Sequence, residues 1–97
     1  RVDLGAMARE VLDLHAAWSE ERGVRARQEG AGGFVRADPA LIRRVLQNLV
    51  SNAIEAMPEG GDLALDVRRV GGRVRVEVSS TGRITRTSRS SRSLFSV

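Results

Sequence analysis

Apolar residues recur along this chain at two distinct periods. Between about Gly5 and Arg22, Met7, Val11, Leu12, Leu14 and Trp18 return at steps of three and four, with Arg9, Glu10, Asp13, Glu20 and Glu21 between them. That spacing predicts a helix with one buried stripe, and Gly23 supplies its stop. A short strand at "RVDL" precedes it. "VRARQEG" from Val24 alternates as a strand does, and the Gly-rich turn "GAGG" leads to a short extended "FVRA". "ADPALIRR" then opens a second helix. Asp38 can cap free backbone amides, and Pro39 fits the first helical position, where its missing N–H is no loss. This helix is predicted to run to about Met57, where "PEGG" ends it. Leu63, Leu65 and Val67, then Val74, Val76 and Val78, alternate with polar neighbours around Gly71-Gly72, the pattern of a hairpin with one buried face.

Residues 79–97, "SSTGRITRTSRSSRSLFSV", break both periods. Fourteen of the nineteen are Ser, Thr or Arg, and the arginines from Arg83 to Arg92 recur every third residue, which fits neither a helix face nor a strand face. Such a segment buries too little apolar area to offset its ordering entropy, so disorder is the expectation. The chain therefore divides into residues 1–82, which carry the patterned elements, and a Ser/Arg-rich tail, 83–97.

Composition alters this picture at a few points. At 97 residues the chain is one domain at most. The net charge of +4 suggests nucleic acid at first sight. Residues 1–78, however, hold 12 Arg against 12 Asp and Glu, and the excess lies wholly in the four tail arginines; the distribution speaks against a nucleic-acid-binding domain. Cysteine is absent, which removes disulfides, thiolate metal sites and Cys nucleophiles and weakly favours a reducing compartment. No apolar run approaches the roughly 18–20 residues that span a bilayer, and the start does not read as a signal peptide. His15 and Trp18 both lie in the first helix. A lone His there is a surface or packing residue, and Trp18 is most simply core.

The second helix raises one chemical question. On a wheel of roughly 100° per residue, the apolar residues of 41–57 fill an arc from Leu41 through Val45, Ala56, Leu49, Ile42, Ala53, Leu46, Met57 and Val50 to Ile54. Asn52 falls inside that arc, between Leu41 and Val45; Asn48 sits at its edge, with Glu55 and Arg44 just beyond. An amide facing a core costs a few kcal/mol, roughly, unless it finds partners. Two carboxamides one turn apart beside a carboxylate also offer several oxygens to one spot, which suits a hard, partly hydrated cation such as Mg²⁺. Spacing alone favours the plainer reading, an Asn pair bonded to neighbouring backbone or lying at a solvated edge.

"QNLVSNAIEAM" resembles the N-box of the GHKL superfamily, and within it the sensor histidine kinases, where Asn-Leu is followed two residues later by Asn-Ala. The flanking "RADPALIRRVL" and "PEGGDL…GGRVRVEV" are similar to that family's ATP-binding domain in order and spacing, so the resemblance runs from residue 2 to about 82. It implies an α/β (α+β) two-layer sandwich of the Bergerat type, incomplete here, with ATP held between sheet and helices. It implies Asn52 as the Mg²⁺ ligand bridging to the phosphates and Asn48 as a second polar contact in the metal and phosphate shell. Glu55 stands where relatives carry Lys or another polar residue, and its acidity suits positioning metal-bound water better than touching phosphate. Hydrolysing members carry Glu where this chain has Asn48; such a Glu acts as general base on water, and Asn does not. The site implied is one that holds ATP in the cytoplasm for transfer of its γ-phosphoryl group to a histidine in a phosphoacceptor domain outside this chain, and from there to a response regulator.

The chain also departs from the family. The adenine-binding motif, Asp-Thr-Gly-x-Gly-Ile, is here Ser80-Thr81-Gly82-Arg83-Ile84. Ser80 replaces the Asp and so loses a charge-assisted acceptor worth roughly 1.5–3 kcal/mol; Gly82 keeps the first glycine, and the second is missing. The family's ATP lid, second Gly-rich motif and further helix are not recognisable after it. The tail has three readings: an arm contacting nucleic acid by charge, a solvated terminus, or a reading frame that slipped near Ile84. The third is favoured, because restoring one cytosine turns a permitted codon choice for "ITRTS" into Ile-Thr-Pro-Asp-Glu. The expectation is a partial ATP-binding domain, inactive alone, set against a non-enzymatic interaction module of the same ancestry.

Overall fold

The computed structural model describes residues 1–84 and 87–97, with side chains described for 1–82 and 92–97. Strand β1 (Val2–Asp3) leads directly into α1 (Leu4–Leu14). The Asp3 carboxylate accepts from the Ala6 amide at 3.1 Å and so caps α1. Leu4, Met7, Ala8, Val11 and Leu12 form the buried stripe of α1. The single helix expected over residues 5–22 is broken at His15, and α2 (Ala16–Glu21) follows. His15 leaves the helical region at φ −99°, ψ 3°, and its Nδ1 lies 2.9 Å from the Val11 carbonyl oxygen, which the His15 amide also shares at 3.2 Å. Ring and amide converge on one carbonyl, and a second helix starts at the next residue. Trp18 is only half-buried against the core, with the Arg22 guanidinium 5.6 Å from its ring centroid.

Strand β2 (Val24–Glu29) and β3 (Phe34–Val35) precede α3 (Pro39–Glu55), whose cap is the Asp38 carboxylate accepting from the Ala40 amide at 3.0 Å. Strands β4 (Gly61–Val70) and β5 (Arg73–Ile84) form the expected hairpin about Gly71, and β5 runs past the expected end into the "STGRI" motif. The main sheet has the order β2-β4-β5-β6, with β6 spanning Thr87–Ser96; β2 runs parallel to β4 and the other pairs are antiparallel. β1 and β3 form a small separate ladder. The parallel β2–β4 pair needs a crossover, and α3 lies within it. The helices pack on one face of the sheet as a two-layer α/β sandwich.

The core is the meeting of two periods. Ile42, Leu46, Val50, Ala53 and Ile54 of α3, with Met57 just beyond, are buried on the same side as Leu63, Leu65 and Val67 of β4 and Val74, Val76 and Val78 of β5. The other sheet face is charged: Arg25 pairs with Asp62 at 3.2 Å, Arg68 with Asp66, and Glu77 with both Arg75 and Arg92. Exposed pairs of this kind add little stability; they keep a broad open face hydrated.

The segment read from composition as a disordered tail is different in the structure. Thr87–Ser96 pairs along β5 from Ile84↔Thr87 to Arg75↔Ser96, and residues 85 and 86, which link the strands, lie outside the described residues. Two things compensate for the poor composition. β5 offers a full row of backbone donors and acceptors, which cost free energy if left dry and unpaired. The last residues are also not Ser or Arg: Phe95 and Val97 pack against the core, and Val97 exchanges two backbone hydrogen bonds with Val74, at 2.9 and 3.0 Å.

Two measurements check this architecture. Gly30 has φ +87°, and a Cβ there would stand 2.2 Å from the Val67 carbonyl oxygen, whereas Gly71, at φ +63°, has open space around it. Gly30→Ala is expected to lower unfolding stability by about 3 kcal/mol or more and Gly71→Ala by about 1 kcal/mol, read by urea denaturation. In hydrogen exchange, the β6 amides that face β5 are expected to be protected along with those of β5; exchange at random-coil rates over residues 92–96 would restore the disordered-tail reading.

Candidate functional site

The α3 wheel places its apolar arc across more than the core. Only the half from Ile42 to Ile54 reaches the sheet. Leu41 is 56% exposed, Asn48, Asn52 and Ala56 are exposed, and Val45 and Leu49 are half-buried. Asn52 therefore does not face the core, as its place in the arc suggested; it lies on an apolar strip at the margin of the helix–sheet contact. An exposed amide keeps its water, so the desolvation cost expected for it does not arise. Among the described residues no buried side-chain nitrogen or oxygen lacks a hydrogen-bond partner.

That strip borders a crevice between α3 and the main sheet. Leu49, Asn52 and Ala53 of α3, Val78 and Ser80 of β5 and Ser93 of β6 line a cavity of about 80 Å³. Three local rules put these groups together. Asn52 and Leu49 are three apart on α3 and share a face. Val78 and Ser80 are two apart on β5 and both point inward. Ser93 pairs with Val78 across the β5–β6 ladder and so points to the same side. Among the described residues the lining carries no charged side chain, and its described polar groups are two hydroxyls and one carboxamide.

The residues singled out in the sequence divide between this crevice and its surroundings. Asn52 and Ser80 line it together, and Ser80 is 5% exposed. Asn48 stands one turn before Asn52 on the same exposed face and is not part of the lining; its backbone oxygen accepts from the Ser51 hydroxyl at 3.3 Å. Glu55 is exposed at the last turn of α3, also outside the lining. Gly82 is buried for a packing reason: a Cβ there would stand 3.0 Å from Met57 Cγ, so the glycine lets β5 close on the end of α3. Sequence reasoning missed Ser93 because it fell in the supposed tail; the apolar residues just after it, Leu94, Phe95 and Val97, were the available signal.

Two larger cavities lie elsewhere. One, of about 190 Å³, sits among Asp66, Arg68, Arg75 and Glu77 on the charged sheet face. There Asp66, by hydrogen bond and then by charge, holds the Arg68 guanidinium above its ordinary pKa. The other, of about 390 Å³, runs between α1, α2 and β2 and includes Arg9, Asp13, Glu20 and Arg25. Both are lined by charges of both signs. No group of three or more His, Cys, Asp or Glu able to hold a metal occurs among the described residues. No helix among them is long and apolar enough to cross a membrane.

Comparison with known proteins converges on one group. The family described as histidine kinase-, DNA gyrase B-, and HSP90-like ATPase matches residues 37–93, from the start of α3 into β6. The sensor protein DivL of Caulobacter vibrioides is 33% identical across 86% of this chain, and the sensor histidine kinase CusS of Escherichia coli K12 is 38% identical across 74%. This chain spans only 13% and 15% of those two proteins. Among solved structures, the nucleotide-free catalytic domain of histidine kinase ThkA superposes with a TM-score of 0.78 at 32% identity, covering 88% of this chain and 60% of that one. A structure of ThkA in complex with the response regulator protein TrrA matches with a TM-score of 0.74 over 88% of this chain and 26% of that one.

The exposure of Asn52 has a direct check. Asn52→Ala is expected to change unfolding stability by no more than about 0.5 kcal/mol, as for other surface positions, whereas Leu46→Ala, at a site with no exposure, is expected to cost about 2–5 kcal/mol. Thermal and urea unfolding of both variants would separate them.

Proposed function

Because this chain belongs to the histidine kinase-, DNA gyrase B- and HSP90-like ATPases and carries the ATP-binding domain fold of the histidine kinases, we propose that its crevice binds Mg²⁺-ATP for phosphoryl transfer to a histidine on another domain of the parent protein. The observation that carries this reading is the meeting of Asn52 and Ser80 in one crevice between α3 and β5, inside the family-matched segment. Neither residue is near the other in sequence, and the helix–sheet packing brings them together.

The residues divide by chemistry. The Asn52 carboxamide oxygen is a hard, neutral donor of the kind that Mg²⁺ takes alongside water and phosphate oxygens, and Asn48 extends the same face by one turn. The bound ion would neutralise phosphate charge. Glu55, exposed and acidic, repels phosphate oxygens directly, so its role is to orient water around the ion. Ser80, in the lining, and Gly82, two residues on along β5 and outside it, are the groups proposed to meet the base. Asn48 has no carboxylate to take a proton from water, so hydrolysis has no general base at that position. His15, the only histidine, is engaged with the Val11 carbonyl at the α1–α2 junction, which supports an acceptor histidine elsewhere. A response regulator is then the onward recipient, as the ThkA–TrrA pairing suggests, and the domain works in the cytoplasm, where ATP is available. The chain alone transfers nothing.

Calorimetric titration with ATP, with and without Mg²⁺, tests the reading. Saturable heat that needs Mg²⁺ is expected, and Asn52→Ala should weaken it at least about tenfold while circular dichroism stays unchanged, since a hydrogen bond or ligand contact to a charged group is worth about 1.5–3 kcal/mol. Undiminished binding by the variant would contradict the role given to Asn52. No heat from the folded wild-type chain would remove the nucleotide altogether.

A further inference from the structure

The outer face of the main sheet, opposite the helices, carries its charges in rows. Asp66 of β4 stands directly opposite Glu77 of β5, and Arg68 directly opposite Arg75. Glu29 of β2 extends the acid row beside Asp66. Both rows, out to Leu94 and Ser96 on β6, lie within the described residues. Across the strands, therefore, like charges are neighbours, an arrangement that costs a sheet stability. Opposite charges are neighbours along each strand: Arg68 donates to both oxygens of Asp66, and Arg75 lies 3.6 Å from Glu77. These four side chains line a dimple of about 190 Å³. Two exposed apolar residues share the face. Leu94 stands opposite Glu77, and Val70 lies two residues beyond Arg68.

We propose that this face is a contact between two copies of the chain, packed sheet to sheet about a two-fold axis that runs across the strands between the acid row and the arginine row. Such an axis reverses the strand direction and leaves each strand over its own copy. Asp66 then lies over Arg68 of the second copy, and Glu77 over Arg75 of the second copy, with the reciprocal pairs formed by symmetry. A two-fold axis along the strands sets acid over acid instead, so the charge pattern selects one orientation. Successive rows are about 7 Å apart, and packed sheets stand about 10 Å apart and cross at about 30°. So close to the axis, that crossing moves each of the four central residues by only about 2 Å from exact superposition, within the reach of an Arg side chain. Each carboxylate gains a further guanidinium, which its cross-strand neighbour cannot supply within one chain. Leu94 and Val70 add apolar contact at the flanks. Charge pairs at such a contact fix orientation more than affinity, so the dimer is weak and sensitive to salt. The crevice at Asn52 lies on the other side of the sheet, and the inference does not depend on what it binds.

Analytical ultracentrifugation of the full chain in about 0.05 M and about 0.5 M salt tests this contact. A reversible dimer is expected at the lower salt, with association at least about tenfold weaker at the higher. Arg68→Glu with Arg75→Glu makes the four central charges acidic, and Asp66→Arg with Glu77→Arg makes them basic. Each double variant is expected to stay monomeric where the wild type dimerises, and an equimolar mixture of the two to form heterodimers. Should four like charges prevent folding, as judged by circular dichroism, Arg68→Ala with Arg75→Ala is the deciding variant, and its dimer should be at least about tenfold weaker than the wild type's. A wild-type chain that stays monomeric at low salt up to about 1 mM would overturn the inference. So would a mixture that stays monomeric. A dimer that these variants leave unchanged would also overturn it, and would move the contact to another surface, such as the edge of β2.

Discussion

The contact between α3 and the β4–β5 hairpin is the constraint on which the rest depends. Six buried side chains from one helix and its end meet six from two strands, and the buried stripe of α1 completes the same core. That contact fixes the axis of α3, and the axis decides what its flanks do. One flank is filled by α1, to which Arg43 is tied through Glu10 at 2.9 Å. The other is left at the surface, and there Asn52 stands beside Leu49 at the mouth of a crevice. The site is thus the unfilled side of the core contact, and its apolar lining is the same arc that builds the core.

Much of this was legible because local chemistry and long-range packing agree. Asp38 and Pro39 start α3 where a cap and a first-turn proline should. Gly71-Gly72 turns the hairpin, and its alternating Val and Leu residues face the helices. What was not legible depends on partners that no local window contains. His15 splits a helix whose periodicity runs straight through it, because ring and amide share one carbonyl. Asn52 reads as a core position on a wheel, but a wheel knows only which residues share a side, and nothing among the described residues covers that part of the arc. β6 has a composition that predicts disorder, and its pairing comes from an open neighbour and from Phe95 and Val97.

The candidate site shows the same division. The Asn pair was readable from spacing and residue type, since one turn of helix aligns them. That Asn52 would share a cavity with Ser80 follows from how β5 lies against α3, which Gly82 permits by having no side chain to press on Met57. Ser93 joins them only because β6 is a strand. The described lining of the crevice is neutral as a result, made of amides and hydroxyls, in contrast to the charged cavities on the outer sheet face and along α1 and α2.

The strand order carries one further consequence. β4, β5 and β6 follow one another as a meander whose turns close over a few residues. β2 reaches β4 only across residues 30–60, and α3 lies within that span. The entropy of closing a loop rises with its length, and topologies with distant pairings assemble more slowly than local ones. The meander can form from its own neighbours, but the β2–β4 ladder needs the whole crossover, α3 included, to close. The helix that carries Asn52 is therefore also part of the connection that spans the sheet's parallel edge, so the segment lining the crevice is the one whose closure that edge requires.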